Sequence, residues 1–373
     1  MKEHSEPKSV SRRNLLIGSA TAGIAAAMSG VVPRAAQAAG NDEQITIFSW
    51  ETYHDDDWLA EYSKKTGVKV NVIRSGSVDE MFAKLRSGAV VADVIYLDVG
   101  SVSRLIDAKL IAPLEVSKIT NASNIAPGIE WQKRCTQRGK VWAVPYNWGT
   151  QPLMFNTKVV TPRPTSWQTL WDKKYVGKVN LPDDAYITFP MVALAVGAKD
   201  PYHLTDAEFN KCIEALRDLR PQLRTIARGF DDATSLYASG DAELGYCQNI
   251  STVFDLQKQG KPFDYAFPRE GTPLWIDCAI LTPKGAGRKP VYDFINEGLT
   301  PTWQARFIKR STNNGILTAA AASAAGVPQD VIAKTNIASQ EQPGFWSKMS
   351  VLQTPESMDR RLEIWNAFKA GTL

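Results

Sequence analysis

Histidine is scarce in this chain: there are three among 373 residues, His4, His54 and His203. The scarcity excludes histidine-rich metal sites and leaves a Ser/His/Asp triad very few candidates. The simplest expectation for His54 is a surface position. We therefore expect a function that does not use histidine chemistry.

Cysteine is scarce as well, and four residues in a chain of this length are too few for a disulfide-stabilised scaffold. None of them forms a Cys-x-x-Cys motif. We expect buried thiols, and a Cys247–Cys278 disulfide stays open because a sequence gives no distances. The four residues are Cys135, Cys212, Cys247 and Cys278.

Neither sign of charge dominates: 43 Lys and Arg stand against 39 Asp and Glu, a net charge of +4. This balance argues against a nucleic-acid partner. Hydrophobic residues make up 44% and charged residues 22%, which excludes a disordered chain and a polytopic membrane protein. The length predicts two domains at about 150 residues each. We expect a two-lobed soluble protein.

Residues 1–38 have the pattern of an export signal. Arg12 and Arg13 precede a weakly apolar run that ends at Val32, and 36–38 (Ala-Gln-Ala) fit the small-x-small rule for cleavage. The adjacent arginines resemble a twin-arginine signal. No cysteine follows the cleavage site, which argues against a lipid anchor. We expect a soluble periplasmic protein, with a membrane anchor as the alternative.

Strand-like and helix-like segments alternate in the remaining chain. Residues 45–48, 68–73 and 93–97 are predicted strands, separated by helical patterns that begin at Asp55 and Ser77. This alternation predicts βαβ units and parallel sheet. It repeats after residue 150, so two α/β lobes fit better than one large sheet.

Aromatic and acidic residues recur together where the predicted strands end. Ligands of open α/β sheets bind outside the carboxyl ends of the strands. Aromatic faces attract ammonium groups, and a buried carboxylate adds a charge-assisted hydrogen bond. The pattern predicts a site for a small organic cation. The candidate binding residues are Trp50, Glu51, Tyr53, Asp98, Asp184, Tyr186, Gln248, Trp275 and Asp277.

Some of these residues have a second interpretation. Asp184 precedes a predicted helix and suits an N-cap, and Trp50 and Trp275 suit packing in a core or hinge. The alternative from another functional class is a periplasmic enzyme, a carboxylate-based hydrolase that uses Asp98 or Asp184 with Asp277. No Gly-x-Gly-x-x-Gly follows a strand, which argues against a dinucleotide-dependent enzyme.

Five segments resemble the periplasmic spermidine/putrescine-binding proteins of ABC importers, and the resemblance covers most of residues 44–318. It implies a two-lobed periplasmic binding protein fold of the α/β class, with a hinge and a ligand cleft between the lobes. It also implies a monomer that delivers its ligand to an ABC permease in the inner membrane, with no metal ion, no cofactor and no catalytic residue. The segments are 48–53, 66–70, 81–85, 143–149 and 166–171.

The same resemblance implies where the lobes begin and end. Lobe 1 would comprise residues 41–147 and 281–316, and lobe 2 residues 148–280 and 317–373. The chain would cross between the lobes near Trp148, Leu281 and Leu317. The two lobes would close on the ligand by hinge bending.

Part of the family's ligand pattern is present. Trp50 and Tyr53 match positions that line the family's cleft, and Asp184 matches a carboxylate that contacts the polyamine. Trp275 and Asp277 match a Trp-x-Asp pair that holds the alkyl chain and an amino group. These matches imply a polyamine, spermidine or putrescine, or a related organic cation as the ligand.

Other positions depart from the family. Ile187 stands where the family usually has a second glutamate, and Gln248 stands where it has a tryptophan. Asp98 replaces a small, serine-like residue. These departures keep open another small amino compound, such as an opine, as the ligand.

Overall fold

A computed structural model describes residues 43–76, 78–355 and 357–373. The predicted export signal at 1–38 lies outside the described residues. Within the described ranges, no helix combines the length and the apolar character that crossing a bilayer requires.

The strands are short, as is usual for globular α/β proteins. In chain order they are β1 Gln44–Trp50, β2 Lys69–Ser75, β3 Val94–Asp98, β4 Thr136–Gln137, β5 Lys140–Val141, β6 Ala143–Thr150, β7 Leu153–Asn156, β8 Val179–Pro182, β9 Leu223–Ala227, β10 Leu244–Tyr246, β11 Phe263–Ala266, β12 Thr272–Leu281 and β13 Met349–Val351.

Helices separate most of these strands. They are α1 Asp56–Thr66, α2 Val78–Ser87, α3 Val102–Asp107, α4 Trp131–Cys135, α5 Ala185–Ala195, α6 Asp206–Leu219, α7 Phe230–Ser239, α8 Ser251–Lys258, α9 Lys289–Gly298, α10 Pro301–Ser311, α11 Ala319–Ala324, α12 Gln329–Lys334 and α13 Met358–Ala370.

Helix α1 shows how local sequence sets an element. Acidic Asp56 and Asp57 occupy its first turn, and basic Lys64 and Lys65 its last turn, as the helix dipole favours. Gly67 then ends the helix with a φ of 78°, a left-handed conformation that glycine adopts without strain.

The strands form two mixed sheets and one small hairpin. The first sheet has the order β13-β12-β3-β1-β2, and β6 also pairs with β12. Strand β1 runs parallel to β2 and β3, whereas β12 runs antiparallel to β3 and β6. The second sheet has the order β11-β7-β10-β8-β9, and β4 pairs with β5.

Each large sheet has its own hydrophobic core. The first core takes buried residues from 45–148 and from 274–345. The second takes residues from 153–266 and from 352–368, with a smaller cluster between 154 and 263. The prediction of an α/β protein with two lobes is confirmed.

The first crossing of the chain between the cores lies close to the expected one near Trp148, and the other two differ from the expected positions. It crosses between β6 and β7, between β11 and β12, and after β13. The expected boundary at 280/281 placed β12 in lobe 2, but β12 pairs with β6, β3 and β13 of the first sheet. An apolar run looks the same in sequence whichever sheet it joins.

The expected assignment of 317–373 to lobe 2 differs from the structure in the same way. Helices α11 and α12 place Ala322 and Ile332 in the first core, and Phe345 follows them there. Only the segment from Leu352 onward packs on the second core, where Trp365 and Phe368 of α13 are buried.

Candidate ligand-binding site

A cavity of about 230 Å³ lies between the two lobes, and both contribute to its walls. The first lobe supplies the ends of β1 and β3 and part of β12. The second supplies the start of α5 and the segment after β10. The lining residues are Trp50, Thr52, Tyr53, Gly76, Val78, Asp98, Gln151, Asp184, Tyr186, Ile187, Phe230, Gln248, Asn249, Trp275, Asp277, Asn313 and Leu352.

Every candidate residue except Glu51 lines this cavity. Glu51 is exposed on the turn that follows β1, whereas Tyr53 two residues later is buried. Side chains alternate between two faces along a strand but not along a turn. The sequence pattern therefore could not predict which side chains of this turn point toward the cavity. Glu51 therefore does not line the cavity.

Asp277 lies on β12, and the hydroxyl of Tyr53 donates a hydrogen bond to its Oδ2. The side-chain amide of Asn147 donates in turn to the Tyr53 hydroxyl, at 3.3 Å. Burial raises the pKa of Asp277 to about 8, the Tyr53 hydrogen bond opposes that rise, and the nearby Asp98 charge adds to it. The site therefore holds a carboxyl group that gains or loses its proton close to physiological pH.

Asp98 ends β3 and accepts two side-chain hydrogen bonds. Ser101 donates to Oδ2 at 2.6 Å, and Tyr186 donates to Oδ1 at 2.7 Å. Burial raises the pKa of Asp98, and both hydroxyl groups oppose the rise. Tyr186 belongs to the second lobe, so Asp98 joins the two walls of the cavity.

Glycine makes room for this contact at position 100. A Cβ atom there would lie 2.5 Å from the Tyr186 hydroxyl oxygen and 2.5 Å from the Leu352 carbonyl oxygen. It would also lie 2.8 Å from Oδ1 of Asp98. Any larger residue would push the lobes apart here.

Asp184 caps helix α5, as the second interpretation of this residue predicted, and it also lines the cavity. It is the N-cap of α5, and its Oδ1 accepts the backbone N–H groups of Tyr186 at 2.8 Å and Ile187 at 3.2 Å. The helix N-terminus favours a negative charge at this position. Asp184 is thus a carboxylate held in place by the helix that it caps.

The aromatic residues Trp50 and Trp275 are half-buried and line the cavity; Trp50 packs against the first core, and Trp275, on β12, packs against the second. A Cβ atom on Gly149 would lie 2.4 Å from Cζ2 of Trp275, so only glycine lets the indole lie flat against β6. An aromatic face in this position suits an alkyl chain or an ammonium group.

Amide side chains of both lobes make three further hydrogen bonds beside the cavity. Asn249 of the second lobe donates to Asn313 Oδ1 of the first lobe at 3.0 Å. Gln151, directly after β6, accepts from the Tyr246 hydroxyl at 2.8 Å and donates to the Gln248 carbonyl at 3.4 Å. These polar side chains beside the cavity therefore form hydrogen bonds with one another.

The sequence analysis missed several lining residues. Gln151 and Leu352 follow β6 and β13 directly, so extending the strand-end argument to every strand would have found them. Asn313 follows a helix, and Phe230 begins one, and neither has a sequence signal. Their places depend on how the lobes fold together.

The charges of the lining are of one sign. Asp98, Asp184 and Asp277 are its ionisable carboxyl groups, and no lysine, arginine or histidine is among the described lining residues. Asp98 and Asp277 are buried, and burying a carboxylate is costly unless a cation compensates its charge, so a bound cation would relieve that cost. The described residues also contain no cluster of three or more metal-ligating side chains.

His54 is not at the surface, and the expectation for it was wrong. Its ring is buried, 4.6 Å from the ring of Tyr96 and stacked at 5.3 Å on Tyr146. Ser49 Oγ lies 3.1 Å from its Nδ1. Burial lowers the pKa of His54 to about 3, so the ring is neutral and serves as core packing.

The four cysteines are buried free thiols. The Cys247–Cys278 disulfide that the sequence left open is absent from the structure, since Cys247 lies in the second lobe's core cluster and Cys278 in the first. Cys278 instead neighbours Cys135, with 4.0 Å between the two sulfur atoms.

Comparisons with known proteins agree with this architecture. Residues 57–335 match the family model described as bacterial extracellular solute-binding protein. Spermidine/putrescine-binding periplasmic protein 1 of Haemophilus influenzae is 30% identical over 266 residues, which cover 70% of this chain and 71% of that protein. The spermidine/putrescine-binding periplasmic protein of Escherichia coli K12 is 28% identical over 274 residues, covering 70% and 74%.

A solved structure shares the fold. The spermidine/putrescine ABC transporter substrate-binding protein of Streptococcus pneumoniae superimposes with a TM-score of 0.75 at 20% identity. The alignment covers 89% of this chain and 100% of that one. The two-lobed periplasmic binding protein fold is thereby confirmed. The chain belongs to the family of bacterial extracellular solute-binding proteins.

Proposed function

We propose that this protein is the solute-binding component of an ABC importer and that it binds a polyamine, such as spermidine or putrescine, or a related organic cation. The observation that carries the proposal is a cavity lined by three carboxyl groups and by aromatic side chains, with no basic residue among its described lining. The two relatives are named as spermidine/putrescine-binding proteins, and this supports the same class of ligand.

The proposed mechanism is lobe closure around the ligand. The strands of the first lobe carry Asp98, Asp277 and Trp275, and the second lobe contributes Asp184 and Tyr186, whose hydroxyl donates to Asp98. Because the site is complete only when both lobes meet, ligand binding favours the closed form. The permease would recognise that form of the monomeric protein, and no bond in the ligand is made or broken.

The importer role places the mature protein in the periplasm, and the pattern at Arg12 and Arg13 favours export by a twin-arginine route. Replacing both arginines with lysine should leave the precursor inside the cell. Normal periplasmic yield of the double variant would contradict this route and leave the ligand proposal untouched.

The ligand proposal is tested by a thermal-shift screen of amines, followed by calorimetry of the hits. A ligand at 100 times its dissociation constant adds about 2.7 kcal/mol of stability. The screen should include putrescine, spermidine, cadaverine and an opine. Stabilisation by the opine alone would replace the polyamine with the alternative ligand class.

Asp277→Asn is the variant that links the hit to this cavity. Removing the charge of one desolvated partner costs roughly 2–5 kcal/mol, or about 30- to several-thousand-fold in affinity. Asp293→Asn is the matched control, because Asp293 is an exposed carboxylate paired with Lys289 on α9. Equal affinities of Asp277→Asn and the wild type would contradict the assignment.

Asp184→Asn should weaken binding less than Asp277→Asn, because asparagine keeps the cap of α5. The hydrolase alternative is tested in the same samples. Recovery of the amine unchanged after prolonged incubation supports a binding protein, whereas a new product would favour an enzyme.

A further inference from the structure

Two carboxyl groups of the cavity stand opposite each other on neighbouring strands. Asp98 at the end of β3 and Asp277 on β12 are direct partners in the antiparallel register. The Cβ atoms of such partners lie about 4.5–5.5 Å apart on one face of the sheet. Both residues are buried, with 4% and 7% of their surface exposed.

The groups around this pair do not neutralise it. Tyr53 and Tyr186 contact it as hydrogen-bond donors, and burial raises the pKa of each well above its usual value. Cys278, next along β12, is likewise kept protonated, because burial raises the pKa of its thiol.

Farther groups do not change this picture. Burial raises the pKa of the Tyr202 hydroxyl, and the nearby Asp98 charge raises it further, so this hydroxyl is also neutral. Asp184 adds a third carboxylate on the opposite wall, and Asn147 and Ser101 are neutral. No basic residue among the described lining residues faces the pair.

Two carboxylates this close cannot both ionise without cost in a buried site. Burial raises the pKa of Asp98 and Asp277, that of Asp277 to about 8, and the Asp98 charge contributes to the latter. The empty cavity at neutral pH therefore holds a proton on the pair, for which a ligand cation can be exchanged.

We propose that Asp98 and Asp277 form one paired-carboxylate subsite, which binds a primary ammonium group of the ligand and releases a proton to solvent as it does so. The proposal rests on the proposed function and specifies how its site selects a ligand. The proton leaves the carboxyl group for the buffer, and the charge of the ammonium group replaces it. The ligand itself keeps all its bonds.

The hydrogen bonds of the pair explain why the ammonium group should be primary. Each oxygen of Asp98 already accepts one hydroxyl, and Tyr53 donates to Oδ2 of Asp277. The backbone N–H groups of Gly100 and Ser101 also act on the Asp98 carboxyl group, so the sites still open to N–H donors lie mainly on Asp277. A primary ammonium has three donors and can bond to Asp277 while its charge lies beside Asp98, whereas a quaternary ammonium has none.

The first test needs no ligand. Infrared difference spectroscopy of the empty protein, as the pH rises through about 8, should show loss of a protonated carboxylic acid band. The band should be absent from Asp277→Asn and should titrate at lower pH in Asp98→Asn, which loses the second charge. Ser101→Ala is the matched control, because it removes a neutral donor to Asp98 and keeps both carboxyl groups. Absence of the band in the wild type overturns the proposal.

The second test uses calorimetry with putrescine in two buffers of different ionisation enthalpy at about pH 7. A pKa of about 8 predicts release of nearly one proton per bound putrescine, falling toward zero above about pH 9. Putrescine that binds without proton release overturns the exchange but leaves the polyamine function in place.

Permethylated putrescine, with a quaternary ammonium at each end, separates this inference from the proposed function. It should bind at least tenfold more weakly than putrescine. Equal affinity supports an organic-cation binding protein and overturns the primary-ammonium subsite. If no amine binds, the proposed function fails, and the exchange fails with it even where the infrared band is present.

Discussion

The hydroxyl of Tyr186, on the second lobe, donates a 2.7 Å hydrogen bond to Asp98 on the first lobe. Both residues line the cavity, and Tyr186 is held in place by the Asp184 cap of its own helix. The contact that closes the cleft is therefore made by residues of the ligand site itself. Ligand binding and lobe closure share Asp98.

Tyr186→Phe should weaken binding of the ligand found in the screen. A hydrogen bond to a charged group is worth about 1.5–3 kcal/mol, or roughly 10- to 150-fold in affinity, when it is made only in the closed form. Small-angle scattering of the empty variant should also show a more open average shape than the wild type. Calorimetry and scattering check the two effects.

Tyr53→Phe is the matched control for that variant. It also removes a hydroxyl donor to a cavity carboxylate, Asp277, but both of its partners belong to the first lobe. Its scattering profile should therefore match that of the empty wild type. If the two variants opened the cleft equally, the assignment of Tyr186 to closure would be wrong.

Gly100→Ala should prevent full closure. The added Cβ atom would lie 2.5 Å from the Tyr186 hydroxyl oxygen and 2.5 Å from the Leu352 carbonyl oxygen. The second contact can be relieved only by moving the backbone at Leu352, which costs free energy. Overpacking of this kind costs about 1–3 kcal/mol, so we expect affinity to fall by roughly 5- to 150-fold. Gly229→Ala is the control, since a Cβ atom there meets nothing within 4 Å. Calorimetry showing equal affinities for both variants would contradict the prediction.

The stability of the empty protein should fall as the pH rises from about 7 to about 8. Folded Asp277 keeps its proton up to about pH 8, whereas the unfolded chain loses it near 3.8, so the folded state binds more protons between these values. The free energy of unfolding then decreases by up to about 1.4 kcal/mol per pH unit. Chemical denaturation at several pH values measures this slope.

The pH window is set by His54, which acts with the opposite sign. Its pKa is about 3 when folded and 6.5 when unfolded, so between these values stability rises with pH. Above about 7 the His54 contribution no longer changes, and the slope that remains comes from the Asp98–Asp277 pair, in which Asp277 has the pKa of about 8. Asp277→Asn should abolish the slope and unfold less readily than the wild type at about pH 8. A slope that survives in this variant would assign it to another group.

The four thiols should be unreactive in the folded protein. All four cysteines are buried, and burial raises the pKa of Cys212 and Cys247 to about 12. A thiol-reactive dye should label none of them before unfolding and all four in denaturant without reductant. Fewer than four thiols in the denatured protein would reveal a disulfide.

The local features of the chain could be predicted from the sequence alone. Alternating strand and helix patterns indicated the α/β class, and the charges and glycine of α1 marked its ends. The recurrence of aromatic and acidic residues after strands pointed to most of the cavity lining. These inferences succeed because periodicity, capping and strand ends are properties of neighbouring residues.

The relationships between distant residues were decided only by the tertiary structure. The register of β12 against β3 sets Asp277 opposite Asp98, and the packing of four aromatic residues buries His54. The same register places β12 in the first sheet rather than the second. A sequence does not contain these facts locally, because strand pairing and burial depend on which segments meet when the whole chain folds.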